Sequence, residues 1–170
     1  MAYDQSPGAA NLFRLDQDLT VHTVLTGVTV SNGLDWSPDG SRAYYNDTAT
    51  FSISLFHYSP DTGLTNRRTF VEIADQGRPD GLTVDSEDAV WTAISNAGVV
   101  HRYTPAGVLD EVVTIPASKV TACTFGGDQL DELFITTSQE NVDTDSDPLA
   151  GSLFRAAPGV RGLPAREFAD

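Results

Sequence analysis

A four-strand unit recurs along this chain, and that recurrence constrains its fold more than any other feature. Gly33-Leu34-Asp35-Trp36 aligns with Gly81-Leu82-Thr83-Val84 and, less closely, with Ala122-Cys123-Thr124-Phe125. The starts of these runs are 48 and 41 residues apart. Each run is followed by a second apolar strand: Ala43-Tyr44-Tyr45, Val90-Trp91-Thr92 and Leu133-Phe134-Ile135. A third strand carries a bulky-basic signature, in Phe13-Arg14-Leu15, Phe56-His57-Tyr58, His101-Arg102-Tyr103 and Phe154-Arg155-Ala156. A fourth closes the unit, as in Thr69-Phe70-Val71-Glu72-Ile73 and Glu111-Val112-Val113-Thr114-Ile115.

Short β-branched and aromatic runs predict strands over 12–15, 20–25, 33–37, 42–47, 52–58, 67–73, 81–85, 89–94, 99–103, 109–115, 122–125, 132–137, 152–156 and 165–168. No window sustains the i, i+3, i+4, i+7 spacing of an amphipathic helix. Ser37-Pro38-Asp39-Gly40 has Pro at i+1 and Gly at i+3, as type I turns prefer, and Thr104-Pro105-Ala106-Gly107 repeats the device. Four antiparallel strands per ~40–50 residues is the signature of a β-propeller blade. Residues 1–30 supply the last two strands of one blade, and 31–73, 74–116 and 117–170 supply three more. The expectation is an all-β partial propeller of about three and a half blades, where closed rings have about 4–8. Such a chain is not expected to close a ring by itself.

Composition narrows the partners. The chain of 170 residues carries 24 acids against 10 bases, a formal charge of −14. That balance argues against nucleic acid and anionic membrane surfaces, which attract basic patches. It is compatible both with cation binding and with solubility alone. No run approaches the ~18–20 apolar residues of a membrane-spanning helix, and the first residues show no signal-peptide pattern, so a cytoplasmic location is expected. The one cysteine, Cys123, sits in a predicted buried strand and reads as an inert core thiol.

In a propeller the first strand of each blade lines the central channel, and the residues just before those strands converge at one mouth. Here they are Asn32, Asp80 and Thr121. Asn32 and Asp80 offer the amide and carboxylate oxygens that hard divalent cations take. Asn-Gly and Asp-Gly are also ordinary turn dipeptides, so a ligand reading and a turn reading both stand on the residues alone.

Ser31-Asn32-Gly33-Leu34-Asp35-Trp36-Ser37, Tyr44-Tyr45-Asn46-Asp47, Asn66-Arg67-Arg68, Pro79-Asp80-Gly81, Trp91 and Cys123-Thr124-Phe125-Gly126-Gly127 come in an order that closely resembles the regucalcin-like senescence marker protein/gluconolactonase family. The resemblance runs from about Leu12 to the C-terminus. It implies a six-bladed propeller that hydrolyses sugar lactones with a divalent metal, calcium or zinc among others, at the channel. In that family the Asn of Ser-Asn-Gly-Leu and the Asp of Pro-Asp-Gly are metal ligands, which match Asn32 and Asp80. A third ligand, a glutamate, and sugar-contacting residues lie upstream of the Ser-Asn-Gly motif and have no counterpart here. The chain therefore resembles the C-terminal half of such a protein, completed by a further segment or a second chain. Asp80 is expected to be a ligand, and its carboxylate is also the candidate general base. The alternatives are a non-enzymatic propeller that binds calcium or a partner, and an inactive truncated fragment.

Other residues carry less. Asp47 reads as a strand-end hydrogen-bonding residue or as support for the site. Asp143-Thr144-Asp145-Ser146-Asp147 imitates the start of an EF-hand loop but has Pro148 where Gly is needed and Phe154 where Glu is needed, so it reads as a solvated loop. His22, His57 and His101 lack metal-ligand spacing, and there is no Gly-x-Ser-x-Gly elbow. Trp36 and Trp91 are expected in the packing between blades.

Overall fold

The computed structural model describes residues 1–73 and 77–167. The strands are β1 (Ala10–Leu15), β2 (Val21–Val28), β3 (Ser31–Trp36), β4 (Arg42–Asp47), β5 (Ser52–Ser59), β6 (Gly63–Glu72), β7 (Arg78–Val84), β8 (Val90–Ser95), β9 (Val99–Tyr103), β10 (Leu109–Thr114), β11 (Val120–Gly126), β12 (Glu132–Thr137) and β13 (Leu153–Ala156). A short 3-10 turn, Thr48–Thr50, follows β4. Among the described residues no helix is long and apolar enough to cross a membrane. The strands form four antiparallel sheets in sequence order: β1-β2, β3-β4-β5-β6, β7-β8-β9-β10 and β11-β12-β13. These are the blades of a β-propeller, two of them complete.

The blades are held together through their faces. In β4, Tyr44 packs with Ile53, Leu55 and Val71 against Leu82, Val84 and Val90 of the next blade. Its neighbour Tyr45 points the other way and packs with Phe56 against Val28. In β8, Val90 and Ile94 face back while Trp91 and Ala93 face forward, onto Val120, Cys123, Phe125 and Leu133. Strand alternation thus puts apolar side chains on both faces, which is why these strands read as continuous apolar runs. Every residue of β8 is buried. Each fully buried Leu, Ile, Val or Phe contributes roughly 1.5–3 kcal/mol, so the seams hold most of the core energy. The outer strands alternate instead: β10 keeps Leu109, Asp110, Val112 and Thr114 exposed.

Ion pairs reinforce one seam and the inside of one blade. Arg42 pairs with Asp88 of the following blade. Within one blade, the Arg102 side chain is 9% exposed and binds Asp85, Glu87 and Asp110. The fully buried Asp85 also accepts bonds from Trp91 Nε1 and the Glu87 and Ala89 backbone. Asp35 reaches from β3 to the Thr83 hydroxyl and the Val84 N–H of β7.

The strand expected over 165–168 is not formed: residues 165–167 are unpaired, and residue 168 lies outside the described residues, as do 74–76 at one expected blade boundary. The chain instead leaves β13 and crosses the inner ends of the sheets. Gly162 bridges to Asp85 and donates to the Leu130 carbonyl, Ser86 N–H donates to the Arg161 carbonyl, and Arg166 donates to the Ser37 carbonyl. A polar, Pro- and Gly-containing tail suits that irregular path better than an outer strand.

Candidate metal centre

The inner strands β3, β7 and β11 share one irregularity. Pairing of β3 with β4 slips between Ser31 and Leu34, that of β7 with β8 between Pro79 and Leu82, and that of β11 with β12 between Val120 and Ala122. Asn32, Asp80 and Thr121 occupy these three bulges. They lie inside the inner strands, not just ahead of them, and Asn32-Gly33 and Asp80-Gly81 are not turns. A bulge bends its strand and re-aims a side chain, so one repeated device turns three side chains out of the ladder.

The glycines after Asn32 and Asp80 are explained by crowding. A Cβ on Gly33 would lie 2.6 Å from the Leu82 side chain, 2.7 Å from its backbone nitrogen and 2.8 Å from the Asp80 carbonyl. A Cβ on Gly81 would lie 2.6 Å from Ala122 Cβ and 2.8 Å from its Cα. Neither glycine has a positive φ, so close approach of neighbouring inner strands, not backbone conformation, requires them. The same closeness brings Asn32 and Asp80 together.

Burial pushes the Asp80 carboxyl above its ordinary range. The Asn32 amide and the Gly81 N–H, both placed to hydrogen-bond to it, and the Lys119 ammonium pull it back in part. Asn32 Nδ2 donates to Thr48 Oγ1 at 3.1 Å. Thr48 Oγ1 donates to the Pro79 carbonyl at 2.8 Å, and Asn46 Nδ2 donates to the Asp80 carbonyl at 2.7 Å. Asn46 is fully buried, and its Oδ1 has no partner among the described residues. Thr121 is spent differently: its hydroxyl pairs with Thr136 at 2.8 Å. The geometry therefore joins Asn32 to Asp80 and sets Thr121 apart, as a hydroxyl already engaged in its own blade.

The hard oxygen donors suit a divalent cation of the calcium or zinc kind: a carboxylate from Asp80 and an amide oxygen from Asn32, whose nitrogen is held by Thr48. Among the described residues no three His, Cys, Asp or Glu side chains cluster closely enough to form a metal site by themselves. Asp47 is structural, with its carboxylate accepting from the Thr29 and Val30 N–H groups at 2.8 Å each. The 143–147 loop hangs in solvent, apart from Asp147, which accepts from Ser118. His57 is exposed, whereas His101 is buried against the Tyr103 hydroxyl. Cys123 is buried in the seam, and burial pushes its thiol up to about 12. A cleft of about 690 Å³ runs along Asn96, Thr114, Ser118 and Asp143 and includes neither Asn32 nor Asp80.

Sequence reasoning missed Asn46 and Thr48. The signal was the polar run Asn46-Asp47-Thr48 directly after an apolar second strand, but only the neighbouring blade shows what it holds.

Comparison with known proteins agrees with this architecture. Residues 1–139 match the family model described as the SMP-30/Gluconolactonase/LRE-like region. Regucalcin of Danio rerio is 38% identical over 177 residues, covering 99% of this chain and 60% of that protein. Pentonolactonase XacC of Haloferax volcanii is 38% identical over 162 residues, covering 90% of this chain and 56% of that protein. The crystal structure of regucalcin from Agrobacterium tumefaciens, described as a calcium-binding protein, shares the fold with a TM-score of 0.90 at 24% identity, over 96% of this chain and 57% of that one. The chain thus spans little more than half the length of the relatives it matches.

Proposed function

The chain belongs to the SMP-30/gluconolactonase/LRE-like family, and from that premise we propose that it serves metal-dependent hydrolysis of a sugar lactone, with Asn32 and Asp80 as two of the cation's ligands. The observation that carries this reading is the pairing of Asn32 with a partly buried Asp80 on equivalent bulges of neighbouring inner strands. Its relatives include a pentonolactonase, which supports a lactone as the substrate class.

A bound divalent cation supplies Lewis acidity toward the lactone carbonyl and lowers the pKa of a water it holds. This chain's residues do the holding. Asp80 offers a carboxylate whose burial weakens competing hydration and strengthens its attraction to positive charge. Asn32 offers a neutral oxygen and lies beside that carboxylate without adding repulsion. Asp80 is assigned as ligand before base, because lone pairs committed to a cation are poor proton acceptors. Further ligands and sugar-contacting groups belong, in this reading, to blades beyond the residues described here or to a second chain.

The test is a thermal melt of the chain with and without Ca²⁺ or Zn²⁺, beside a lactone hydrolysis assay. A cation should raise the melting temperature, and Asp80→Ala should abolish that rise. Hydrolysis by the 170-residue chain alone should be weak. An undiminished metal response in Asp80→Ala would return both residues to purely structural duty.

A further inference from the structure

We propose that Thr48 and Asn46 are positioning residues that set the orientation of Asn32 and the place of Asp80 across the seam between two blades. The proposal rests on the reading of Asn32 and Asp80 as cation ligands. Asn46, in the second strand of one blade, and Thr48, in the turn that follows it, both reach the inner strand of the next. Thr48 is 7% exposed and Asn46 is fully buried.

The hydroxyl of Thr48 decides which way Asn32 faces. It carries one proton, and the Pro79 carbonyl at 2.8 Å can only accept it. Toward Asn32, at 3.1 Å, Thr48 must therefore act as acceptor, so the Asn32 atom beside it is Nδ2. That fixes the amide, with Oδ1 as the end that accepts no bond among the described residues and is left to meet a cation. Without the hydroxyl, the Asn32 amide would keep only its contact with the Asp80 carboxyl to orient it, and the buried Pro79 carbonyl would lose its donor.

Asn46 does the equivalent work on Asp80. Its Nδ2 donates to the Asp80 carbonyl at 2.7 Å, inside the bulge, and so fixes the backbone from which the carboxylate projects. Among the described residues its Oδ1 makes no bond that would explain a buried amide on other grounds. The two bonds land on consecutive residues, Pro79 and Asp80, so β7 is held at two points by β4 and the turn that follows it. Groups that hold ligands without touching the metal typically change metal affinity by about 10–100-fold when removed.

The experiment compares Thr48→Val, which keeps the shape and loses the hydroxyl, with Thr48→Ser, which keeps the hydroxyl, in the full 170-residue chain. Three quantities are read: Ca²⁺ affinity by calorimetry, the melting temperature without metal, and the Asn32 side-chain amide signal by NMR, identified by its loss in Asn32→Ala. Thr48→Val should bind Ca²⁺ about 10–100-fold more weakly and shift the Asn32 amide toward its unbonded position. Thr48→Ser should restore both. Asn46→Leu should weaken Ca²⁺ binding while the Asn32 amide stays in place. Should Thr48→Val not fold, Thr48→Ala is read in the same way. Wild-type affinity in the valine or alanine variant would overturn the proposal, as would a loss in Thr48→Ser equal to that in Thr48→Val. If the wild-type chain binds no Ca²⁺, the ligand reading of Asn32 and Asp80 fails. The amide signal then decides separately: a shift in Thr48→Val upholds the orientation of Asn32 by Thr48, and an unmoved signal overturns it.

Discussion

Asp80 is a carboxyl held where water is scarce, and its raised pKa is the mark of that placement. The sign of the effect on stability follows. A carboxyl with a higher pKa folded than unfolded binds its proton more tightly in the native state. Its favourable contribution is complete below the ordinary carboxylate value and is lost as pH rises through the folded value. At neutral pH the ionised, partly buried group costs stability, as functional groups often do. Asp80→Asn should therefore raise the metal-free melting temperature at pH 7, by about 2–4 °C for each kcal/mol relieved. The gain should shrink as pH falls through the raised folded value and be gone below about 4, the ordinary carboxylate value. Melts of both proteins across that range check it, and the same variant should lose the response to added cation.

At the scale of the element, the inner strands work because each carries a bulge next to a residue small enough for close approach. Gly33 and Gly81 are in contact distance of the next strand's backbone, which cannot swing aside as a flexible side chain can. Gly81→Ala should destabilise the chain by about 1–3 kcal/mol through overpacking, measured by denaturant unfolding. Ala122→Gly in the same chain should recover part of the loss, because Ala122 Cβ is one of the two atoms met at under 3 Å. The Gly-Leu repeats were legible in the sequence, and so were β4, β9 and β12 with their exact bounds. The starts of β6, β7 and β11 were not, because Gly63, Pro79 and the polar bulge residues break the apolar pattern while the ladder pairs on through them.

For the molecule as a whole, the seams and the tail decide how blades stand against one another. Tyr44 shows the cost and the gain of a seam. Its ring packs on Phe70 and Leu82, and burial, then the nearby Asp88, pushes its hydroxyl up to about 12. The tail after β13 ties together residues of three blades, at Leu130, Ser86 and Ser37. Leu163 packs on the cluster shared by the two complete blades. Leu163→Ala should cost about 2 kcal/mol, at the low end for such a truncation because the side chain is only partly buried. Urea unfolding measures it, and a neutral result would mean that the tail merely lies on the sheets.

What the sequence by itself determined is whatever repeats locally. Alternation marks strands, Pro- and Gly-containing turns such as Ser37-Pro38-Asp39-Gly40 separate them, and their recurrence specifies blades and puts Asn32 and Asp80 at the same place in each unit. Resemblance then supplies the meaning of those two positions. Tertiary structure decided the rest, because a blade cannot reveal alone what its neighbour presents to it. Thr121 shares the repeat position yet turns to Thr136, while Thr48 and Asn46 reach across a seam to residues 31 and 34 positions away. Arg166 closes on Ser37 across 129 positions, with no local pattern to announce it. Periodicity along a chain reports how each strand meets its own sheet; the bonds by which Thr48 and Asn46 reach Pro79 and Asp80 run between sheets.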